Sequence, residues 1–126
     1  MPDKKKVLVV DDEKDLLKVI KLNLEDTGRF EVLALSSPKE IISTVNSFRP
    51  DVIILDLVMP GIGGLEVCDM LNNDPIGKNT PILVLSALEK DTDKRAAYRK
   101  GIVDYLTKPI GAKDLIARID KILQNR

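Results

Sequence analysis

No histidine occurs among the 126 residues, and that absence removes more chemistry than any other feature of the composition. It excludes Ser-His-Asp and Cys-His catalytic arrangements, imidazole zinc sites and a phosphohistidine carried by this chain. A single cysteine, Cys68, can form neither an internal disulfide nor a thiolate cage, so a reducing, cytoplasmic setting is the expectation. Tryptophan is absent, and the two Phe and two Tyr are too few for a base-stacking platform. Twenty basic and twenty acidic side chains cancel, leaving none of the basic excess that usually marks a nucleic-acid-binding domain. Apolar runs such as Val52 to Leu55 fall far short of the ~20 residues that a transmembrane helix needs. Nor is a secretory signal visible, because Lys4 to Lys6 precede only Val7 to Val10 before acids follow. Carboxylates, lysines, hydroxyls and oxygen-bound metals remain.

What is present reads as an ordinary soluble globule, 44% apolar and 32% charged. Its length suits one domain over residues 1–126, structured from about 5 to 124 and burying roughly two-thirds of its unfolded surface. Val7 to Val10, Val52 to Leu55 and Ile82 to Leu85 are short, continuous apolar runs, the pattern of strands buried on both faces of a parallel sheet. Phe30 to Leu35 and Ile102 to Leu106 add two further strands. Between them lie helical patterns. Leu16, Leu17, Ile20 and Leu24 share one face of a helix over 13–26, and Ser37-Pro38 starts a second, with serine as cap and proline in the first turn. Leu65, Cys68 and Leu71 mark a third, a polar helix runs from about Lys90 to Lys100, and Leu115, Ile116, Ile119, Ile122 and Leu123 form the stripe of the last. Five such units with right-handed crossovers imply an α/β fold: a doubly wound, five-stranded parallel sheet with five helices.

In such sheets ligands bind beyond the carboxyl ends of the strands. There the sequence places Asp11 and Asp12 after the first strand, Asp56 after the third, Ser86 after the fourth and Lys108 after the fifth. Each alone reads as a helix cap, a loop hydroxyl or a solvated charge. Together they bring three carboxylates and one lysine to one edge. The resulting negative excess favours a divalent cation, and a donor set of oxygens alone points to Mg²⁺ or Mn²⁺. A carboxylate beside such a cation, with a lysine and a hydroxyl nearby, suits phosphoryl transfer, and Asp56, standing singly on the central strand, is the best nucleophile.

The segments VLVVDDE (7–13), PDVIILDLVMPGIGGLE (50–66), TPILVLSA (80–87) and DYLTKP (104–109) appear in that order. In them the chain resembles the receiver (response-regulator) domain of two-component signal transduction over essentially its whole length. The resemblance implies flavodoxin-like strand order 2-1-3-4-5. It makes Asp56 the phosphoacceptor, supplied by a sensor histidine kinase or a phosphotransfer protein. Asp12 and Asp56 would hold Mg²⁺ directly, Asp11 largely through water, and the Val58 carbonyl would be a further ligand. Lys108 would contact the phosphoryl oxygens, with a cis bond to Pro109; Ser86 would close on the phosphoryl group, supported by the Ala87 N–H; and Tyr105 would turn inward with Ser86. Phosphorylation would then switch the surface formed by the fourth helix, fifth strand and fifth helix towards a downstream partner or a fused output domain, with a homodimer left open, and with neither nucleic acid nor membrane bound by this domain.

Departures from the family pattern carry expectations too. Val58 and Leu88 flank the phosphoryl position and cannot orient an attacking water, so spontaneous dephosphorylation should be slow. Gly63 loosens the loop after Met59-Pro60, Ile102 and Val103 add apolar bulk at the sheet edge, and Ile110 leaves one class of dimer unassured. Two rivals remain: a phosphorylation-independent interaction module of the same fold, and a Mg²⁺-dependent aspartyl phosphatase. The second usually needs an acid two residues beyond its nucleophile, where this chain has Val58.

Overall fold

Alternating apolar runs and amphipathic stretches become alternating strands and helices in the computed structural model, which describes residues 3–125. In chain order these are β1 Lys5–Val10, α1 Lys14–Glu25, β2 Phe30–Leu35, α2 Ile41–Phe48, β3 Val52–Leu55, α3 Gly64–Asn72, β4 Ile82–Ser86, α4 Asp91–Arg99, β5 Asp104–Thr107 and α5 Ala112–Gln124. All strand pairs are parallel, in the order β2-β1-β3-β4-β5. This is the doubly wound arrangement expected from the alternation and the flavodoxin-like order implied by the resemblance.

Successive side chains of a strand point to opposite faces, so a continuous apolar strand fills two cores. In β1, Leu8 and Val10 face Ile41, Val45, Cys68 and Leu71 of α2 and α3, while Val7 and Val9 face Leu17, Ile20, Leu24, Leu115 and Ile119 of α1 and α5. The same division holds in β3, where Ile53 and Leu55 join the first core and Val52 and Ile54 the second. Cys68 is wholly enclosed, and burial, with the Asp69 charge adding to it, pushes its thiol up to about 11 despite Lys100. That thiol is core filling.

Three boundaries differ from the sequence expectation. β1 begins at Lys5, because Lys5 and Lys6 pair with Phe30 and Glu31, while the Lys5 side chain stays in water and that of Lys6, partly buried, lies over the Phe48 ring. The helix expected at Ser37-Pro38 opens as a 3₁₀ turn over Pro38–Glu40, with the Ser37 hydroxyl accepting from the Lys39 N–H, before α2 proper. The fifth strand is Asp104–Thr107 and not Ile102–Leu106. Ile102 is buried in the core ahead of the strand, Val103 is half exposed, and pairing with β4 starts at Asp104 opposite Leu83. At Ile102 apolar character reports burial, not ladder pairing.

Helix α4 buries only Ala97 among its own residues. Its far end is nevertheless tied down: the Asn72 amide donates to the Lys100 carbonyl at 2.7 Å, and Lys100 Nζ meets Asp69 at 3.0 Å. Gly101 then takes φ +90°, which an L side chain adopts only with strain.

Candidate functional site

Sheet register decides which residues meet. Val10 of β1 pairs with Leu55 of β3, so the next residues, Asp11 and Asp56, leave the sheet side by side. Their backbone N–H groups are held by the carbonyls of Leu35 and Val10, at 3.1 and 3.0 Å. On the other side Ser86 pairs with Thr107, and the Lys108 N–H donates to the Ser86 carbonyl at 2.8 Å, which brings the lysine back over the sheet edge. The Lys108-Pro109 bond is cis, as the resemblance implied.

Four of the expected residues converge. Lys108 Nζ lies 2.7 Å from Asp11 Oδ2 and 3.5 Å from Asp56 Oδ2, and carboxylate oxygens of Asp11, Asp12 and Asp56 all lie within 4.8 Å of one another. Asp11 and Asp56 are buried, at 2% and 5% exposure, whereas Asp12 faces solvent. An octahedral Mg²⁺ with bonds of ~2.1 Å holds opposite oxygens about 4.2 Å apart, close to the spread of this cluster, and the donors are all hard oxygens. The acidic pocket therefore fits Mg²⁺.

Burial holds the Asp56 carboxyl above the usual carboxylate range, and the Asp11 charge adds to this; the Val58 N–H, which donates to Asp56 Oδ1 at 3.3 Å, and Lys108 oppose it. Burial alone would push the Lys108 ammonium down. Its hydrogen bond to Asp11, the charges of Asp56 and Asp11, and a hydrogen bond to Glu13 together hold it above its ordinary value. The site thus has carboxylate charge in excess of what its lysine balances, as the sequence suggested.

The remaining expected residues ring this centre. Ser86 is fully buried, and its hydroxyl accepts from the Leu88 N–H at 3.3 Å. Ala87, next to it in the chain, is exposed, and so is Val58, at 54%, beside Asp56. Tyr105 lies inside the fold at 8% exposure and donates its hydroxyl to the Leu88 carbonyl at 2.7 Å, which links it to the loop that follows Ser86. Glu13 had no role in the sequence reading, yet its carboxylate reaches Lys108 Nζ at 3.2 Å. Its place in the string Asp11-Asp12-Glu13 was the available signal; that the lysine returning to this edge would reach Glu13 as well as Asp11 was not foreseeable from spacing.

Residues 7–120 match the family described as the response regulator receiver domain. The alkaline phosphatase synthesis transcriptional regulatory protein PhoP of Bacillus subtilis is 36% identical over 120 residues, which is 95% of this chain and 49% of that protein. The transcriptional regulatory protein YvrH of the same organism is 37% identical over 113 residues, 90% of this chain and 46% of its own length. The chain thus spans about half the length of these relatives. Among solved structures, the chemotaxis protein CheY4 of Vibrio cholerae superposes with a TM-score of 0.90 at 29% identity, covering 96% of this chain and all of the other. The receiver domain of the Francisella response regulator 1452 gives 0.87 at 34% identity, with 97% and 98% covered.

Proposed function

The chain belongs to the response regulator receiver family, a signalling module of two-component systems, and from this we propose that it accepts a phosphoryl group on Asp56. The observation that carries the reading is the placement of a buried Asp56 beside Asp11 and within 3.5 Å of the Lys108 ammonium. An Asp56 oxygen forms a bond to phosphorus while the bond from phosphorus to the donor's imidazole nitrogen breaks, and the electron pair stays on that nitrogen. Lys108 neutralises charge on the transferred oxygens, and the Ser86 hydroxyl and Ala87 N–H are the nearby donors for the group once attached. Asp12 and Asp56, with Asp11 through water and the Val58 carbonyl, would hold Mg²⁺ or Mn²⁺. The bound cation supplies positive charge that offsets the carboxylates and the phosphoryl oxygens.

With no histidine on the chain, the phosphohistidine belongs to a sensor histidine kinase or a phosphotransfer protein. A single domain acts in the cytoplasm, in keeping with one free, buried thiol; among the described residues no helix is long and apolar enough to cross a membrane. Drawing Ser86 towards the new group pulls on the loop whose Leu88 carbonyl holds Tyr105, and so on the lightly packed α4. The α4–β5–α5 surface then signals to a downstream partner or an output domain, with or without homodimerisation. Direct binding to nucleic acid is not part of this reading.

Incubation with acetyl phosphate and Mg²⁺ should add one phosphoryl group, seen by intact-mass measurement, and Asp56→Asn should add none. With apolar Val58 and Leu88 flanking the group, the adduct should outlast the minutes needed to desalt it. No adduct, or one that survives Asp56→Asn, defeats the reading; continuous release of phosphate with rapid turnover would point instead to the phosphatase.

A further inference from the structure

We propose that Glu13 is a positioning residue for Lys108: it keeps the ammonium at the mouth of the pocket when Asp56 directly, and Asp11 through water, turn their oxygens to a divalent cation. The inference rests on the cation reading above and deepens it. Among the described residues Lys108 Nζ has three acidic partners, Asp11 at 2.7 Å, Glu13 at 3.2 Å and Asp56 at 3.5 Å. Two of these belong to the cluster of carboxylates able to close on a metal, and Glu13 does not. A cation held by Asp56 directly and by Asp11 through water therefore competes with the ammonium for the oxygens of both buried carboxylates. Glu13 is the remaining acidic partner among the described residues.

The local structure holds Glu13 in that place. The Glu13 N–H donates to Asp11 Oδ1 at 2.9 Å, while the other oxygen of the same carboxylate receives Lys108, so the three residues close a ring. The Glu13 carbonyl accepts from the Leu17 N–H at 3.0 Å and starts α1, where a negative side chain is favoured by the helix dipole. Its side chain is 60% exposed against 15% for Lys108, so Glu13 can follow the ammonium outwards at little desolvation cost.

Calorimetric titration with MgCl₂ at constant ionic strength tests this in four proteins: parent, Glu13→Gln, Lys108→Met and the double variant. Lys108→Met removes the competing cation and should tighten Mg²⁺. Glu13→Gln should weaken Mg²⁺ about three-fold in the parent, the scale of one partly exposed ion pair. In the Lys108→Met background no ammonium has to be rehoused, so the effect of Glu13→Gln should shrink to the small, screened loss of one surface charge. An equal weakening in both backgrounds would show that Glu13 acts on the cation by charge alone, and no weakening in the parent would show that Lys108 does not need it; either overturns the proposal. A parent protein that fails to bind Mg²⁺ at all overturns the cation reading itself, and this inference with it.

Discussion

Asp56 is disfavoured as a charge by the fold that surrounds it. Burial and the neighbouring Asp11 raise its pKa above the unfolded value, so the folded state gives up stability as the pH climbs past that unfolded value and on through the raised one. An amide in the same shape escapes this cost and can still accept from the Val58 N–H. Asp56→Asn should therefore raise the thermal midpoint at neutral pH by a few degrees without Mg²⁺, and the gain should shrink as the pH drops towards 4, the range in which the unfolded chain also begins to take up the proton. Scanning calorimetry between pH 4 and 8 reads this; a variant less stable than the parent at pH 7 would mean that the Lys108 contact outweighs burial. Added Mg²⁺ should stabilise the parent more than the variant, because only a ligand bound by the folded state shifts unfolding.

At the scale of elements, the loop carrying Asp56 is held against α3 by a glycine. The Gly64 N–H donates to the Leu57 carbonyl at 3.0 Å, and a Cβ added at Gly64 would stand 2.5 Å from Leu57 Cα and 2.7 Å from the Asp56 carbonyl oxygen. Those neighbours are backbone and cannot rotate away. Gly64→Ala should cost about 3 kcal/mol in urea unfolding and slow phosphorylation by acetyl phosphate, since relief requires the Asp56–Leu57 peptide to move. Gly63→Ala next to it meets open space and should leave both measurements nearly unchanged. In the sequence Gly63 stood out as loosening this loop and Gly64 had no role; which of them touches the site depends on how α3 docks against the end of β3.

Across the whole molecule, the sheet separates two cores that share no side chains. Leu71 lies in the core under α2, α3 and α4, and Ile119 in the core under α1 and α5, both with no exposure. Truncating either to alanine should cost about 3 kcal/mol. The double variant should lose the sum to within about 0.5 kcal/mol, because the two cavities have no common lining. Equilibrium urea unfolding of the three variants decides it, and a large coupling would show strain passing through the strands.

The order of elements, the two-sided burial of the strands and the gathering of Asp11, Asp12, Asp56, Ser86 and Lys108 at one edge were legible in the sequence. Hydrophobic period and the handedness of crossovers are local rules, and strand ends in a parallel sheet all face one way. Element boundaries were less legible where apolar residues are buried without pairing, as at Ile102, or where charged residues pair without burial, as at Lys5. The tertiary structure alone decided that Glu13 shares the lysine, that Tyr105 is tied to the loop after Ser86, and that α4 is anchored at one end by Asn72. Each is a contact between residues far apart in the chain, set by register and docking angle, and no spacing along the chain encodes such distances.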